Sequence, residues 1–255
     1  MPASTSSTAA APLERERVCV DCGCAFTGLL GLCGDCAQAR LDRANEGRHL
    51  AEQKVRQEKW RALCPPLYQD TDWTHGGLGR GLAELVQRWQ PGQGGRSSLL
   101  LTGPTGLGKT RAAFALLRRV HESGRSVHAL HAGDAWDHGP HIQGLSSAVR
   151  LQYSDDPHRS QAALHCLQRA RTCSLLLLDD VGKERASPTA GQLSEAVGEA
   201  LFALIEHRLV HRLVHRLPMI LTTNAPGTTL QARLGPDRGA PLIRRLMEAC
   251  EVVGV

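Results

Sequence analysis

Eight consecutive residues, Gly103-Pro104-Thr105-Gly106-Leu107-Gly108-Lys109-Thr110, constrain this chain more than any other stretch. They match G-x-x-x-x-G-K-[ST], the phosphate-binding P-loop. An apolar run, residues 98–102, leads into them, and residues 111–120 follow with helical character. That order of strand, glycine loop and helix is the setting the motif requires, and it points to an α/β fold. The glycines let backbone N–H groups converge on phosphate oxygens without interference from a Cβ. The helix that follows presents its N-terminus to the same anion. Lys109 is placed for the β- and γ-phosphates, and the Thr110 hydroxyl for Mg²⁺.

The chain has 255 residues, enough for one α/β domain plus a small appendage, and its 42% apolar content supports a full core. No apolar run approaches the roughly 20 residues of a membrane helix. Residues 1–12 are rich in Ser, Ala, Thr and Pro, without the charged start and apolar centre of a signal peptide. They read as a disordered tail, taken to extend over residues 1–18. The net charge of +5 is compatible with nucleic acid but too mild to argue for it. A P-loop argues for a reducing, cytoplasmic setting, so the nine cysteines do not read as a disulfide framework.

Five of those cysteines crowd into residues 19–36. Cys19 and Cys22 form one CxxC pair, Cys33 and Cys36 a second, and Cys24 is extra. Each CxxC sets two thiolates on one tight turn, and two such turns facing each other make the tetrahedral four-thiolate site that Zn²⁺ accepts. The intervening residues have room for a short hairpin. Cys24 is an alternative to Cys22 as ligand. A segment this small has too little core to fold without its metal. Residues 37–63 are rich in Ala, Arg, Glu, Gln and Lys, lack Pro, and read as one charged helix. Cys64-Pro65-Pro66 then marks a boundary. The expected organisation is therefore a tail (1–18), a zinc knuckle plus helix (19–63) and a P-loop domain (64–255).

The run 172–180 is apolar until it ends in Asp179 and Asp180. An uninterrupted apolar run suits a central parallel strand, and α/β sheets keep their ligands at the carboxyl ends of strands. Asp179 is placed to bind Mg²⁺, and Asp180 to orient and deprotonate an attacking water. A third run, 217–224, ends in Asn224, whose amide stands where it can touch the γ-phosphate or that water.

The P-loop, Leu-Asp-Asp-Val-Gly-Lys-Glu (178–184) and Leu-Thr-Thr-Asn (221–224), in this order, resemble AAA+ ATPases. More narrowly they resemble the bacterial helicase loaders (DnaC-like) and the related transposon ATP-binding proteins (IstB-like). Residues 64–72 and 199–208 agree, so the resemblance covers about 64–255. It implies an AAA+ core without a C-terminal helical lid, ATP and Mg²⁺ as ligands, and Asn224 as sensor I. It also implies an arginine that reaches a neighbouring subunit's ATP, with Arg245 the best match and Arg244 the alternate. The implied function is an ATP-dependent helicase loader in DNA replication, self-associating through its ATP sites. Its implied partners are a replicative DNA helicase and single-stranded DNA. A transposition helper ATPase that delivers a transposase is the alternative. The short N-terminal knuckle suits docking on a protein and favours the loader.

Residues 207–217 repeat His-Arg-Leu-Val nearly three times, which stacks Arg208, Arg212 and Arg216 on one helical face. That face reads as a ridge toward nucleic acid or as a solvated extension, outward in either case. Arg150, Tyr153 and Arg159 are further candidates for contact with a strand.

Overall fold

The apolar runs that read as buried strands assemble into one parallel sheet. In the computed structural model, residues 15–28, 31–93, 96–136, 142–183, 194–209 and 217–255 are described. They divide into two units, 1–57 and 58–255. The division falls six residues before the boundary expected at Cys64, because the end of helix α1 (Gly34–Leu63) already carries core residues of the larger unit. Trp60 and Leu63 are buried there, with the Trp60 ring edge-on to Phe114 and stacked on His121.

The smaller unit holds a two-stranded antiparallel ribbon of β1 (Arg15–Val18) and β2 (Ala25–Gly28), followed by α1. β1 thus lies within the stretch expected as a tail, residues 1–18. The hairpin expected between the two CxxC pairs instead finds its partner strand before Cys19. Outside its last turns α1 is almost entirely exposed, as its charged composition implies.

In the larger unit, α2 (Arg80–Arg88) precedes β3 (Ser98–Thr102), and the P-loop turns β3 into α3 (Lys109–Glu122). Then come β4 (Val127–His131), α4 (Leu145–Leu151), α5 (Pro157–Thr172) and β5 (Leu175–Asp179). The chain continues through α6 (Glu195–Leu209), β6 (Met219–Thr223), α7 (Gly227–Leu234), α8 (Pro236–Ala249) and β7 (Cys250–Gly254). The strand order is β4-β5-β6-β3-β7, and every pairing is parallel. The strand period of two sorts the core onto two faces. Leu99, Leu101, Leu175, Leu177 and Ile220 pack with Phe114, Leu116 and Trp60, whereas Leu100, Leu176, Leu178 and Leu221 pack with Leu201, Leu204 and Leu246. A parallel sheet covered on both faces sets all its carboxyl ends along one rim.

One expectation fails outright. Arg208 does not stand on an outward ridge but is fully buried. Its guanidinium donates to the carbonyls of Ala170 (2.7 Å), Cys173 (3.1 Å) and Pro218 (2.8 Å). It thereby joins the end of α5 to the entry of β6, two places where carbonyls lose their regular partners. The three-fold donor fork of arginine is what such a junction needs, so the repeat's period misidentified its environment. Arg212 and Arg216 lie outside the described residues. Replacing Arg208 with Leu strands those buried carbonyls, at a cost of about 3 kcal/mol or more. Thermal unfolding of the Arg208→Leu variant should come roughly 10 °C earlier; an unchanged midpoint would contradict the buried role.

Candidate functional site

The P-loop lies at the sheet's carboxyl rim, in the turn from β3 to α3. Gly103, Gly106 and Gly108 have φ of +140°, +90° and +85°, a left-handed run that residues with a Cβ resist. At Gly108 a Cβ would stand 2.9 Å from the Gly77 carbonyl oxygen. The loop therefore has the open backbone that a phosphate cradle needs. Lys109 is buried at the N-terminus of α3, and its ammonium donates to the carbonyls of Gly103 (2.8 Å) and Pro104 (2.6 Å). Burial lowers its pKa, and the nearby Asp180 and Asp179 carboxylates oppose that shift. Thr105 and Leu107 occupy the loop's outer turn, where Leu107 is exposed.

The three strands expected to carry site residues end side by side. Thr110 Oγ donates to Asp179 Oδ1 at 2.8 Å, joining the P-loop to β5. Thr222 Oγ donates to that same oxygen at 2.7 Å and accepts from the Asp180 N–H at 2.8 Å, joining β6 to both acids. Asn224 Nδ2 donates to Asp180 Oδ1 at 2.8 Å. Asp179 is buried, and that burial raises its pKa, against the pull of Thr222 and Thr110. A dication beside it reverses this logic and keeps it ionised. The hydroxyl of Thr110 and the Asp179 carboxylate are hard oxygen donors of the kind Mg²⁺ takes.

Asp180 has φ +57°, the only positive φ of a non-glycine among the described residues. Such backbone costs on the order of 1 kcal/mol and collects at functional sites. His131, at the end of β4, faces Asp180 Oδ2 at 3.7 Å, and Lys183 Nζ donates to the same oxygen at 2.8 Å. His131 and then Lys183 hold the Asp180 carboxyl down to about 2. His131, Asp179 and Asp180 also converge as a possible metal-binding group. However, the Gly133 N–H donates to His131 Nδ1 at 2.9 Å, which leaves the proton on Nε2 toward Asp180. His131 thus turns its Nε2–H toward Asp180 at 3.7 Å, and the hard oxygen donors left for a cation are the two carboxylates. His131 and Thr222 escaped the sequence reading. A histidine or threonine at a strand end has no spacing signature of its own, although Thr222 stood inside the Leu-Thr-Thr-Asn stretch.

The two C-terminal arginines differ in exposure. Arg245, expected as the finger, forms an ion pair with Glu206 of α6, and its guanidinium lies 5.2 Å over the Phe202 ring. Its side chain is 24% exposed, so it is part-buried. Arg244 is 73% exposed and only loosely paired with Glu248 at 3.8 Å. Tyr153 is 80% exposed, and Arg150 and Arg159 are exposed as well.

In the smaller unit the sulfurs of Cys19, Cys22, Cys33 and Cys36 all lie within 4.8 Å of one another, a group that could hold a zinc ion. Tetrahedral Zn–S bonds near 2.3 Å require sulfurs about 3.8 Å apart, and Cys22 and Cys33 stand at 3.7 Å. The backbone N–H groups of Cys33 and Cys22 aim at the Cys19 sulfur and lower its pKa to about 6, favouring thiolate. Cys24 is outside this foursome, although its sulfur approaches Cys22 at 3.2 Å. Asp21 and Arg40 tie the knuckle to α1, with Nε to Oδ2 at 2.7 Å. One zinc per chain should co-purify, Cys33→Ser should abolish it, and Cys24→Ser should retain it; elemental analysis without zinc would refute the assignment. Removing the metal should unfold the knuckle and leave the larger unit's thermal transition in place.

No protein-family model matches the chain, and no curated protein matches it. Solved structures do. The replication initiator DnaA bound to AMPPCP and single-stranded DNA matches with a TM-score of 0.53 and 17% identity, over 75% of this chain and 50% of that one. AMPPCP-bound DnaA from Aquifex aeolicus matches at 0.50 and 16%, over 75% and 50%. The DnaC helicase loader aligns at 0.49 and 19%, over 75% of this chain and 99% of that one. The chain spans about half the length of the DnaA chains it matches. A likeness at these identities concerns the fold: the larger unit shares with the DnaA chains a parallel sheet between helices, with the P-loop at its carboxyl rim.

Proposed function

We propose that this chain is an ATPase that loads or remodels a replicative DNA helicase, acting as a nucleotide-controlled switch in the cytoplasm. The observation that carries the ATPase reading is the convergence on Asp179 Oδ1, where Thr110 of the P-loop and Thr222 of the neighbouring strand both donate. An arriving phosphate offers Lys109 stronger acceptors than the two loop carbonyls it now holds. Thr110 and Asp179 would hold Mg²⁺, which would supply charge neutralisation for the phosphates. Asp180 and Asn224, linked to each other, orient the water. Phosphoryl transfer through a loose transition state asks for positioning and charge more than for a strong base. An Asp180 carboxyl near 2 meets that demand.

The loader assignment rests on the order of motifs over 64–255 and on a fold shared with a replication initiator. That initiator, DnaA, is solved with AMPPCP and single-stranded DNA. For this chain we propose ATP as the nucleotide and single-stranded DNA as a ligand, with Tyr153 offering a stacking face. The zinc knuckle and α1 serve as the surface that docks on the helicase. Arg244 takes the place of Arg245 as the trans-acting finger, because it is exposed while Arg245 is engaged with Glu206.

Two experiments test this. Lys109→Ala should lose Mg-ATP binding while keeping its thermal transition. Asp180→Asn should bind ATP and turn it over at least about a hundredfold more slowly. Wild-type-like hydrolysis by Lys109→Ala would end the ATPase reading. For assembly, turnover per chain should rise with protein concentration. Arg244→Ala should preserve ATP affinity and lose about 10³-fold in turnover, with partial recovery on mixing with Lys109→Ala. Arg245→Ala should instead lower stability. Concentration-independent turnover with no recovery in the mixture would reject trans action.

A further inference from the structure

Three side chains surround the Asp180 carboxylate, and two of them meet on Oδ2. Its Oδ1 accepts from Asn224, and its Oδ2 accepts from Lys183 and faces His131. Of these three, His131 has a side chain only 10% exposed and a ring fixed by the Gly133 N–H. Asn224 is part-buried at the end of β6. Lys183 is different. Its backbone is pinned, with its N–H donating to the Asp180 carbonyl at 3.0 Å and its own carbonyl 3.1 Å from where a Cβ on Gly133 would stand. Its side chain, however, is 50% exposed and sits on a flexible four-carbon stem. It is the one donor to Asp180 that can leave without disturbing the fold.

Lys183 also acts on the P-loop. Alongside burial, its charge is what lowers the Lys109 pKa, so the two ammoniums share one electrostatic neighbourhood. Among the described residues, Lys109 and Lys183 stand with Asp179 and Asp180 at this rim. The third phosphate of a nucleoside triphosphate adds negative charge beyond what one Mg²⁺ neutralises, and a second ammonium answers it. Resting on the ATPase reading above, we propose that Lys183 is a second phosphate-binding lysine. Asp180 holds its ammonium until a nucleoside triphosphate binds; the ammonium then transfers to the γ-phosphate and leaves Asp180 Oδ2 to the attacking water. The site so reads the third phosphate by exchanging one ion pair for another, and the same exchange arms Asp180.

The test compares AMPPCP and ADP, each with Mg²⁺, by titration calorimetry on the full-length chain, alongside steady-state ATP turnover. Lys183→Ala should weaken AMPPCP by about tenfold, the worth of one charge-assisted hydrogen bond, and leave ADP within about twofold. Turnover at saturating ATP should fall, and Lys183→Arg should restore the preference for AMPPCP. If Lys183 merely restrained Asp180, its loss would leave the AMPPCP-to-ADP ratio unchanged and raise turnover, and that result overturns the proposal. Equal weakening of both nucleotides overturns it too. A wild-type chain that binds neither nucleotide defeats the ATPase reading itself, whereas a wild type that prefers AMPPCP and a Lys183→Ala variant with the same preference defeat this inference alone.

Discussion

One carboxylate oxygen, Asp179 Oδ1, holds the rim of the sheet together. It takes a hydrogen bond from Thr110 at the head of α3 and another from Thr222 on β6. Three elements distant in sequence are thereby fixed at the point where they meet. The acid is buried, so the two hydroxyls are what make its burial tolerable. The arrangement also positions Asp180, because Thr222 accepts from the Asp180 N–H with the hydroxyl that donates to Asp179. A fold that places a strained, ionised acid beside a phosphate loop has committed its rim to anion chemistry at some cost in local stability.

The P-loop, the strands and the acid pair were legible because each writes its physics into consecutive residues. Left-handed turns demand glycine, and buried parallel strands demand unbroken apolar runs. The clustering of Cys19, Cys22, Cys33 and Cys36 was legible by spacing for the same reason. What was not legible depends on which residue faces which across the fold. Thr222 and His131 gain their roles only from register with neighbouring strands. The Arg245 ion pair is of the same kind, since its partner Glu206 lies 39 residues earlier, on a different helix.

Arginine was the least predictable residue in the chain. Arg208 satisfies backbone carbonyls inside the core, and Arg119 does similar work nearer the surface, donating to the carbonyls of Val86, Gln87 and Trp89. Arg111 joins Thr71 and His75 while lying over the Tyr68 ring. These guanidiniums act as multi-pronged donors at places where regular hydrogen bonding stops. The net positive charge therefore says less about nucleic acid than it first suggests, since several cations are consumed in holding the chain to itself.

The approach of Gly108 to the Gly77 carbonyl bears on the genetics of this protein. The obstacle to any side chain at position 108 is a peptide oxygen, not another side chain. A suppressor screen against a Gly108 substitution should therefore yield no single compensating replacement at position 77, because every amino acid there carries the same carbonyl. Relief would have to come from a change in chain length between the Pro66–Tyr68 turn and α2, which would re-route the backbone itself. Two glycines separated by thirty residues are in this sense a single locus.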